Sequence, residues 1–213
     1  AGAGLQIVNV SNPAAPAIVA TLDTPGSAKG VAVANWYAYV ADNTSIQVIN
    51  VALPGSPVIV GSLPMTATAV AVAGSRLYVL DGTLFKIVDV TNPAAPALLS
   101  AIDSLGAQGL DASGTLAFLA SPAVDPAENK GGLYVVDVSV STVPVVLANV
   151  YGGFENTGVA VAGSLAVAAG GSFGLKVVDI SDPAAPTTVG FLGGTMTGVA
   201  MAGQYAYALL GVP

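Results

Sequence analysis

The sequence predicts an all-β fold: a five-bladed β-propeller of four-stranded antiparallel blades, one domain over residues 1–213, closed by a split blade shared between the N- and C-termini. Three observations carry that prediction. One phrase recurs five times at a spacing near that of a propeller blade, a hairpin pattern fills each interval, and Gly or Pro interrupts every stretch before a helix of ordinary length can form.

The phrase is plainest at LKVVDISDPAAP, Leu175 to Pro186. Its other copies are LQIVNVSNPAAP from Leu5, IQVINVALPGSP from Ile46, FKIVDVTNPAAP from Phe85 and LYVVDVSVSTVP from Leu133. Starts at residues 5, 46, 85, 133 and 175 give intervals of 41, 39, 48 and 42. Each copy is a short apolar strand ending in Asp or Asn, then a turn of polar or small residues, then a proline.

Between the copies lie GVAVANWYAYVAD (Gly30 to Asp42), AVAVAGSRLYVLD (Ala69 to Asp81), GLDASGTLAFLAS (Gly109 to Ser121), GVAVAGSLAVAAG (Gly158 to Gly170) and GVAMAGQYAYALL (Gly198 to Leu210). Each reads as two apolar runs joined by a tight Ala-Asn, Gly-Ser, Ser-Gly or Gly-Gln turn. A fourth run follows the phrase, as in Ala17 to Leu22, Val58 to Leu63 and Thr187 to Leu192. The first run of each hairpin is nearly all Ala, Val and Gly, which suits an innermost strand A where blades crowd together, while Trp36, Tyr37, Tyr39 and Tyr78 fall in roomier positions. The order from inside out is then A, B, C, D, with the phrase as C. The chain opens with C and D, Leu5 to Leu22, and ends with A and B, Thr197 to Leu210. Pairing these halves makes a fifth blade and removes two exposed edges. The rival expectation is a piece of a longer propeller whose ends do not meet.

Composition narrows the function classes. Hydrophobic residues make up 54% of the chain and charged residues 8%, against a usual charged share of roughly 25%, which excludes a disordered, solvated chain. Mean hydropathy is +0.76, yet no apolar stretch approaches the ~18 residues of a membrane helix. With 12 acidic and 5 basic residues, net charge −7, there is no basic face to neutralise phosphates, so nucleic acid is not an expected partner. The absence of Cys removes disulfides and thiolate chemistry. The opening AGAG, without an initiator Met or a signal peptide, suggests a processed chain or an excerpt. Sparse charge hints at an extracellular protein whose outer faces are partly covered in an assembly.

The phrase and its PAAP resemble the LVIVD repeat of bacterial and archaeal surface and secreted proteins, over nearly the whole chain. The copy from Leu133 departs most after its Asp, and the copies from Leu5 and Ile46 end in Asn. The resemblance implies a β-propeller in an exported protein, often a module of something larger. It implies no reaction.

Four sets of residues are candidates for chemistry. The acid or amide that ends the phrase recurs at Asn9, Asn50, Asp89, Asp137 and Asp179. Catalysis or metal binding depends on charge, whereas an Asx cap on a turn works equally from Asp or Asn, and two of the five are Asn. The expected role is therefore a structural cap. Pro16, Pro57, Pro96, Pro144 and Pro186 sit in one phase before the outer strand, where a missing N–H costs least and discourages pairing with another chain.

The residue before each A strand gives a second set: Lys29, Thr68, Gln108, Thr157 and Thr197. In a propeller these converge at one mouth of the axial channel, where they either satisfy strand ends or hold water, an anion near Lys29, or a sugar hydroxyl. The insertion SPAVDPAENKGG, Ser121 to Gly132, is a third candidate. Its Asp125, Glu128 and Asn129, with Lys130 beside them, make a weak Ca2+ site without DxDxDG spacing, and otherwise a solvated loop.

The fourth candidate is a carboxylate pair. With neither His nor Cys, the usual hydrolase triads and zinc sites lack their base, nucleophile or ligands. The enzyme alternative is a glycosidase using Asp111, in an inner strand, and Glu155, in the loop before another. Tyr151 and Phe154 flank YGGFEN and offer faces to a sugar ring or pack under a long connection, and Trp36 at a hairpin tip is similar.

Together these features lead to the expectation of a non-enzymatic structural or protein-interaction module of an exported or cell-surface assembly. It needs no cofactor, and its partners are proteins or copies of itself. The alternatives are a carbohydrate-binding propeller using the channel mouth and, behind it, a glycoside hydrolase.

Overall fold

Val- and Ile-rich runs punctuated by turn residues fold as strands from one end of the chain to the other. The structure, a computed structural model, describes residues 4–125, 130–151, 156–172 and 174–211. Among the described residues no helix is long and apolar enough to cross a membrane. The chain separates into two compact units, Ala1–Asp81 with Ile87–Leu99, and Gly82–Lys86 with Ser100–Pro213.

The first unit opens with a two-stranded sheet, β1 (Leu5–Asn9) and β2 (Ala17–Leu22). A four-stranded antiparallel blade follows, β3 (Gly30–Ala34), β4 (Tyr37–Ala41), β5 (Asn43–Asn50) and β6 (Val58–Ala67), hydrogen-bonded in chain order. The next blade begins here with β7 (Ala69–Ala73) and β8 (Arg76–Leu80), and continues through β9 (Leu84–Asp89) and β10 (Ala97–Asp103), which run across the division.

The second unit holds a blade of β11 (Gly109–Ser113), β12 (Leu116–Asp125), β13 (Lys130–Asp137) and β14 (Val145–Val150). Another blade consists of β15 (Gly158–Ala162), β16 (Leu165–Ala169), β17 (Leu175–Asp179) and β18 (Thr187–Leu192). The unit ends in a two-stranded sheet, β19 (Met196–Ala202) and β20 (Tyr205–Leu210). Four full blades and two two-stranded pieces, one from each terminus, are the strands of a five-bladed propeller with one blade divided.

Burial follows strand position. The B strand β8 and the C strand β9 are almost wholly covered, with Leu77, Val79, Phe85 and Ile87 fully buried, as continuous apolar runs require. In the first unit Tyr39, Ile46, Val48, Leu77 and Val79 share one core. In the second, Phe118, Leu133, Val135, Ala166 and Val178 share another. A strands lie side by side, β3 by β7 in the first unit and β11, β15 and β19 in the second.

The hairpin tips carry the backbone conformations that two-residue turns need. Gly74, Gly114, Gly163 and Gly203 have φ near +59°, at +59, +58, +59 and +58, in the first central position, the pattern of a type II′ turn. In the β3–β4 hairpin the central pair is Asn35–Trp36, with φ of 51° and 67°, a type I′ turn on two non-glycine residues. The turns expected at Ala-Asn and Ser-Gly are thus centred one residue later.

Two elements depart from the sequence expectation. The D strand expected over Val58 to Leu63 continues to Ala67, because Pro64 and Ala67 pair back to Ser45 and Asn43 at the start of β5. The insertion at Ser121 lengthens a hairpin rather than opening as a loop: β12 and β13 run into it until Asp125 lies opposite Lys130.

The heads of the A strands differ in how closely they pack. A Cβ built on Gly109 would stand 2.8 Å from Gly158 Cα and 2.9 Å from Thr157 O, whereas one on Gly30 would meet Ala69 Cα at an ordinary 3.6 Å. Gly109→Ala should therefore destabilise the chain by roughly 1–3 kcal/mol, and Gly30→Ala should be nearly neutral. Chemical denaturation of both variants checks this, and equal losses would remove the A-strand contact as the cause.

Candidate functional site

The five phrase-ending residues all act on turn amides. The Oδ1 atoms of Asn9, Asn50, Asp89, Asp137 and Asp179 accept from the N–H of Ser11, Ala52, Thr91, Ser139 and Ser181 at 2.8–2.9 Å. Three copies add a second Asx bond, from Ala14, Ala94 and Ala184 to Asn12, Asn92 and Asp182 at 3.0–3.2 Å. Where that position is Leu53 or Val140, the backbone bond that closes the turn remains, at 2.9 and 2.8 Å.

Hydrogen bonds to the ionised form pull the acids of this set below the ordinary carboxylate range. For Asp89 the causes are the side chain and then the N–H of Thr91, with the guanidinium of Arg76 a smaller one; Arg76 Nη1 stands 2.9 Å from its Oδ1. For Asp137 and Asp179 the N–H groups of Ser139 and Ser181 lead.

The residues that precede the A strands fall in two groups. Lys29 and Thr68 head the neighbouring strands β3 and β7 of the first unit; Gln108 and Thr157 precede β11 and β15 in the second, and Thr197 lies in β19. Four of them extend the A–B ladder by one rung: the N–H groups of Lys29, Thr68, Gln108 and Thr157 donate to the carbonyls of Ala41, Leu80, Ala120 and Ala169 at 2.7–2.9 Å. Thr68 Oγ1 also donates to Leu80 O at 3.0 Å.

Asp111 is half-buried in β11. Its Oδ1 accepts from its neighbour Ala112 at 2.8 Å and its Oδ2 from Val161 N–H, in the adjacent A strand β15, at 2.8 Å. Burial raises its pKa, and the two amide bonds oppose that rise without cancelling it. Glu155 and Phe154 lie outside the described residues, as do Glu128 and Asn129 of the insertion. Among the described residues no group of three or more acids can hold a metal ion.

Two polar arrangements escaped the sequence reading. Asp42, fully buried after β4, accepts from Thr24 Oγ1 at 2.7 Å and Gly26 N–H at 2.6 Å, pinning the loop that leads into β3. Ser121, at the matching place in β12, donates to Leu105 O at 2.8 Å. The second position of the phrase is polar in every copy and buried in four: Gln47, Lys86, Tyr134 and Lys176. Gln47 Nε2 donates to Ser45 and Ser62 at 2.7 and 3.0 Å, and Tyr134 OH accepts from Gly131 N–H at 3.1 Å. Burial pushes the Lys176 ammonium below the usual lysine range.

Beside β1 lies an apolar groove of about 400 Å³, walled by Leu5, Ile7, Val31, Val33 and Trp36. Comparison with known proteins identifies the repeat. The LVIVD repeat model matches residues 1–24, 25–64, 66–104 and 156–192. The chain belongs to the LVIVD repeat family. The matches leave out residues 105–155, which contain the phrase that departs most and the hairpin insertion. No curated protein matches the chain.

Among solved structures, the chain is similar to a functionally unknown protein from Desulfotomaculum acetoxidans DSM 771, with TM-score 0.72 and 12% identity over 89% of this chain and 63% of that one. It is also similar to the computationally designed Ika8 protein, with TM-score 0.64 and 13% identity over 90% of this chain and 58% of that one. This LVIVD-repeat chain thus spans less than two thirds of either structure, and at these identities the likeness is one of fold.

The caps give a pH test. Because the three carboxyls are held down in the folded chain, their contribution is complete above the ordinary Asp range of about 4 and is lost as pH falls through the lowered folded values. Replacing Asp89, Asp137 and Asp179 by Asn, already present at positions 9 and 50, should leave the denaturation midpoint at neutral pH unchanged and flatten its decline in acid. Ala at the same sites should lower the midpoint at neutral pH. Equal acid slopes in wild type and the triple Asn variant would exclude these carboxyls as the acid-sensitive groups.

Proposed function

We propose that this chain is a non-catalytic structural or protein-interaction module of an exported or cell-surface assembly. The observation that carries the reading is the number of large apolar side chains exposed on each unit. Val8, Ile18, Val31, Val33 and Trp36 are exposed in the first unit, and Phe191, Leu192, Tyr205, Tyr207, Leu209 and Leu210 in the second, where Leu210 reaches 76%. Monomeric soluble proteins rarely leave contiguous apolar patches larger than a few hundred Å² open to water. The chain has little charge to offset such surface, with 12 acids and 5 bases in 213 residues.

The carboxylates support the same reading. Those of the phrase and Asp111 are engaged with backbone amides, which is structural work that Asn performs at two repeats. Placement outside the cell rests on the sparse charge and on the resemblance of the repeat to those of surface and secreted proteins.

Sedimentation and native mass spectrometry over a dilution series test the assembly. The expected result is a mean mass that rises with concentration. A chain that remains strictly monomeric at the highest concentration reached overturns the reading.

A further inference from the structure

We propose that a groove on the first unit, between the β3–β4 hairpin and the turns of the blade that follows, binds a neutral saccharide. The site lies at the opposite end of β3 and β7 from Lys29 and Thr68, and it goes beyond the assembly reading.

The groove holds about 350 Å³, at the small end of the ~300–1,000 Å³ usual for ligand pockets. Asn35, Tyr37 and Tyr39 reach it from the β3–β4 hairpin, Ser75 from the β7–β8 turn, and Thr91 and Pro93 from the turn after β9. All six belong to the first unit. Tyr37 and Tyr39 stand two apart in β4 and so share one face of the sheet. That face packs on Leu77, Val79 and Val90 of the next blade.

The repeat shows which of these groups the fold itself needs. At the first turn position the other four hairpins place Gly74, Gly114, Gly163 and Gly203, whereas Asn35 takes φ 51° and adds a polar side chain. Tyr37 opens β4 where the later full blades have Arg76, Leu116 and Leu165. Tyr39 stands where they have Tyr78, Phe118 and Val167, so the blade closes without a hydroxyl at that place. Tyr39 is nevertheless 2% exposed, and its hydroxyl has no hydrogen-bond partner among the described residues. A phenol so deeply covered needs a partner to offset its desolvation, and the groove it lines is where a ligand oxygen supplies one.

The surroundings select a neutral ligand. Arg76 Nη1 holds Asp89 Oδ1 at 2.9 Å and Ser75 Oγ at 3.1 Å, and Asp89 also accepts from Thr91 N–H at 2.8 Å. A charged ligand would find the nearest charges already paired with each other. Burial and then the Tyr37 phenol raise the pKa of Tyr39, which keeps its hydroxyl a neutral donor. Two phenols and an amide offer both donors and acceptors to sugar hydroxyls, and aromatic bodies with polar tips suit the apolar face of a sugar ring.

The chain has seven tyrosines, so ring-labelled tyrosine gives a small NMR spectrum that single Phe variants assign. Titration with glucose, mannose, galactose, xylose, N-acetylglucosamine and their disaccharides should shift the Tyr37 and Tyr39 signals saturably for at least one of them. Tyr205 and Tyr207, which are 72% and 60% exposed, should stay in place, and galacturonate should shift none of the four. Tyr39→Phe, which matches Phe118, and Asn35→Gly, which matches the other turns, should both fold and each weaken binding by about tenfold.

The absence of a saturable shift at Tyr37 and Tyr39 with every neutral sugar overturns the site. Equal shifts at Tyr205 and Tyr207 overturn it as unspecific stacking on exposed rings, and unchanged affinity in both variants places the binding elsewhere and overturns it too. A response to galacturonate alone overturns the neutral ligand. Each of these results leaves the assembly reading to its own mass measurements.

Discussion

The A strands β11 and β15 approach so closely at their first residues that no side chain fits at Gly109. A Cβ on Gly109 would lie 2.8 Å from Gly158 Cα and 2.9 Å from Thr157 O, whereas one on Gly158 would meet Gly198 Cα at an ordinary 3.5 Å. That constraint explains why residue 109 is Gly. It also has a polar consequence. Strands that lie side by side without forming one ladder leave edge amides to satisfy, and in the second unit Asp111 reaches from β11 to the N–H of Val161 in β15. The carboxylate that invited a catalytic reading is thus explained by the packing that surrounds it.

Burial decides how each carboxyl titrates. Asp137 and Asp179 accept N–H bonds at the surface, where water still solvates the charge, and their pKa values fall. Asp111 accepts two N–H bonds of the same length, but desolvation outweighs them and its pKa rises. Identical donors therefore give opposite shifts. A raised carboxyl inside a repeat is no sign of acid chemistry when both its oxygens hold backbone together.

Local grammar made the repeat legible: strands, hairpin turns and caps depend on residues within two or three positions of each other, and the phrase writes them out five times. The two-residue turns shifted by one because positive φ falls on Gly114 in Ser-Gly-Thr and on Asn35–Trp36 in Ala-Asn-Trp, which composition alone does not distinguish. The clamp by Asp42 was hidden because its partners, Thr24 and Gly26, lie 18 and 16 residues upstream, in the loop before the blade. A signal was present, since Asp42 and Asp81 end successive hairpins in the same phase, but only a fold tells which loop such a residue faces. The polar second position of the phrase was concealed by its neighbours: surrounded by Leu, Val and Ile, Gln47 looks like the outward residue of an alternating strand, yet it is 3% exposed because sheet packing covers both faces.

Edges separate the full blades from the half blades. Each phrase ends in a proline immediately before the D strand, at Pro16, Pro57, Pro96, Pro144 and Pro186, so the outermost strand of every blade begins with an N–H removed. Proline of that kind discourages a further strand from adding to the sheet. β20 carries no such device. Its residues are Tyr-Ala-Tyr-Ala-Leu-Leu, without charge or proline, and β1 reads Leu-Gln-Ile-Val-Asn. A chain that blocks its five outer edges and leaves two inner ones unblocked distinguishes strands that must stay single from strands that must be joined.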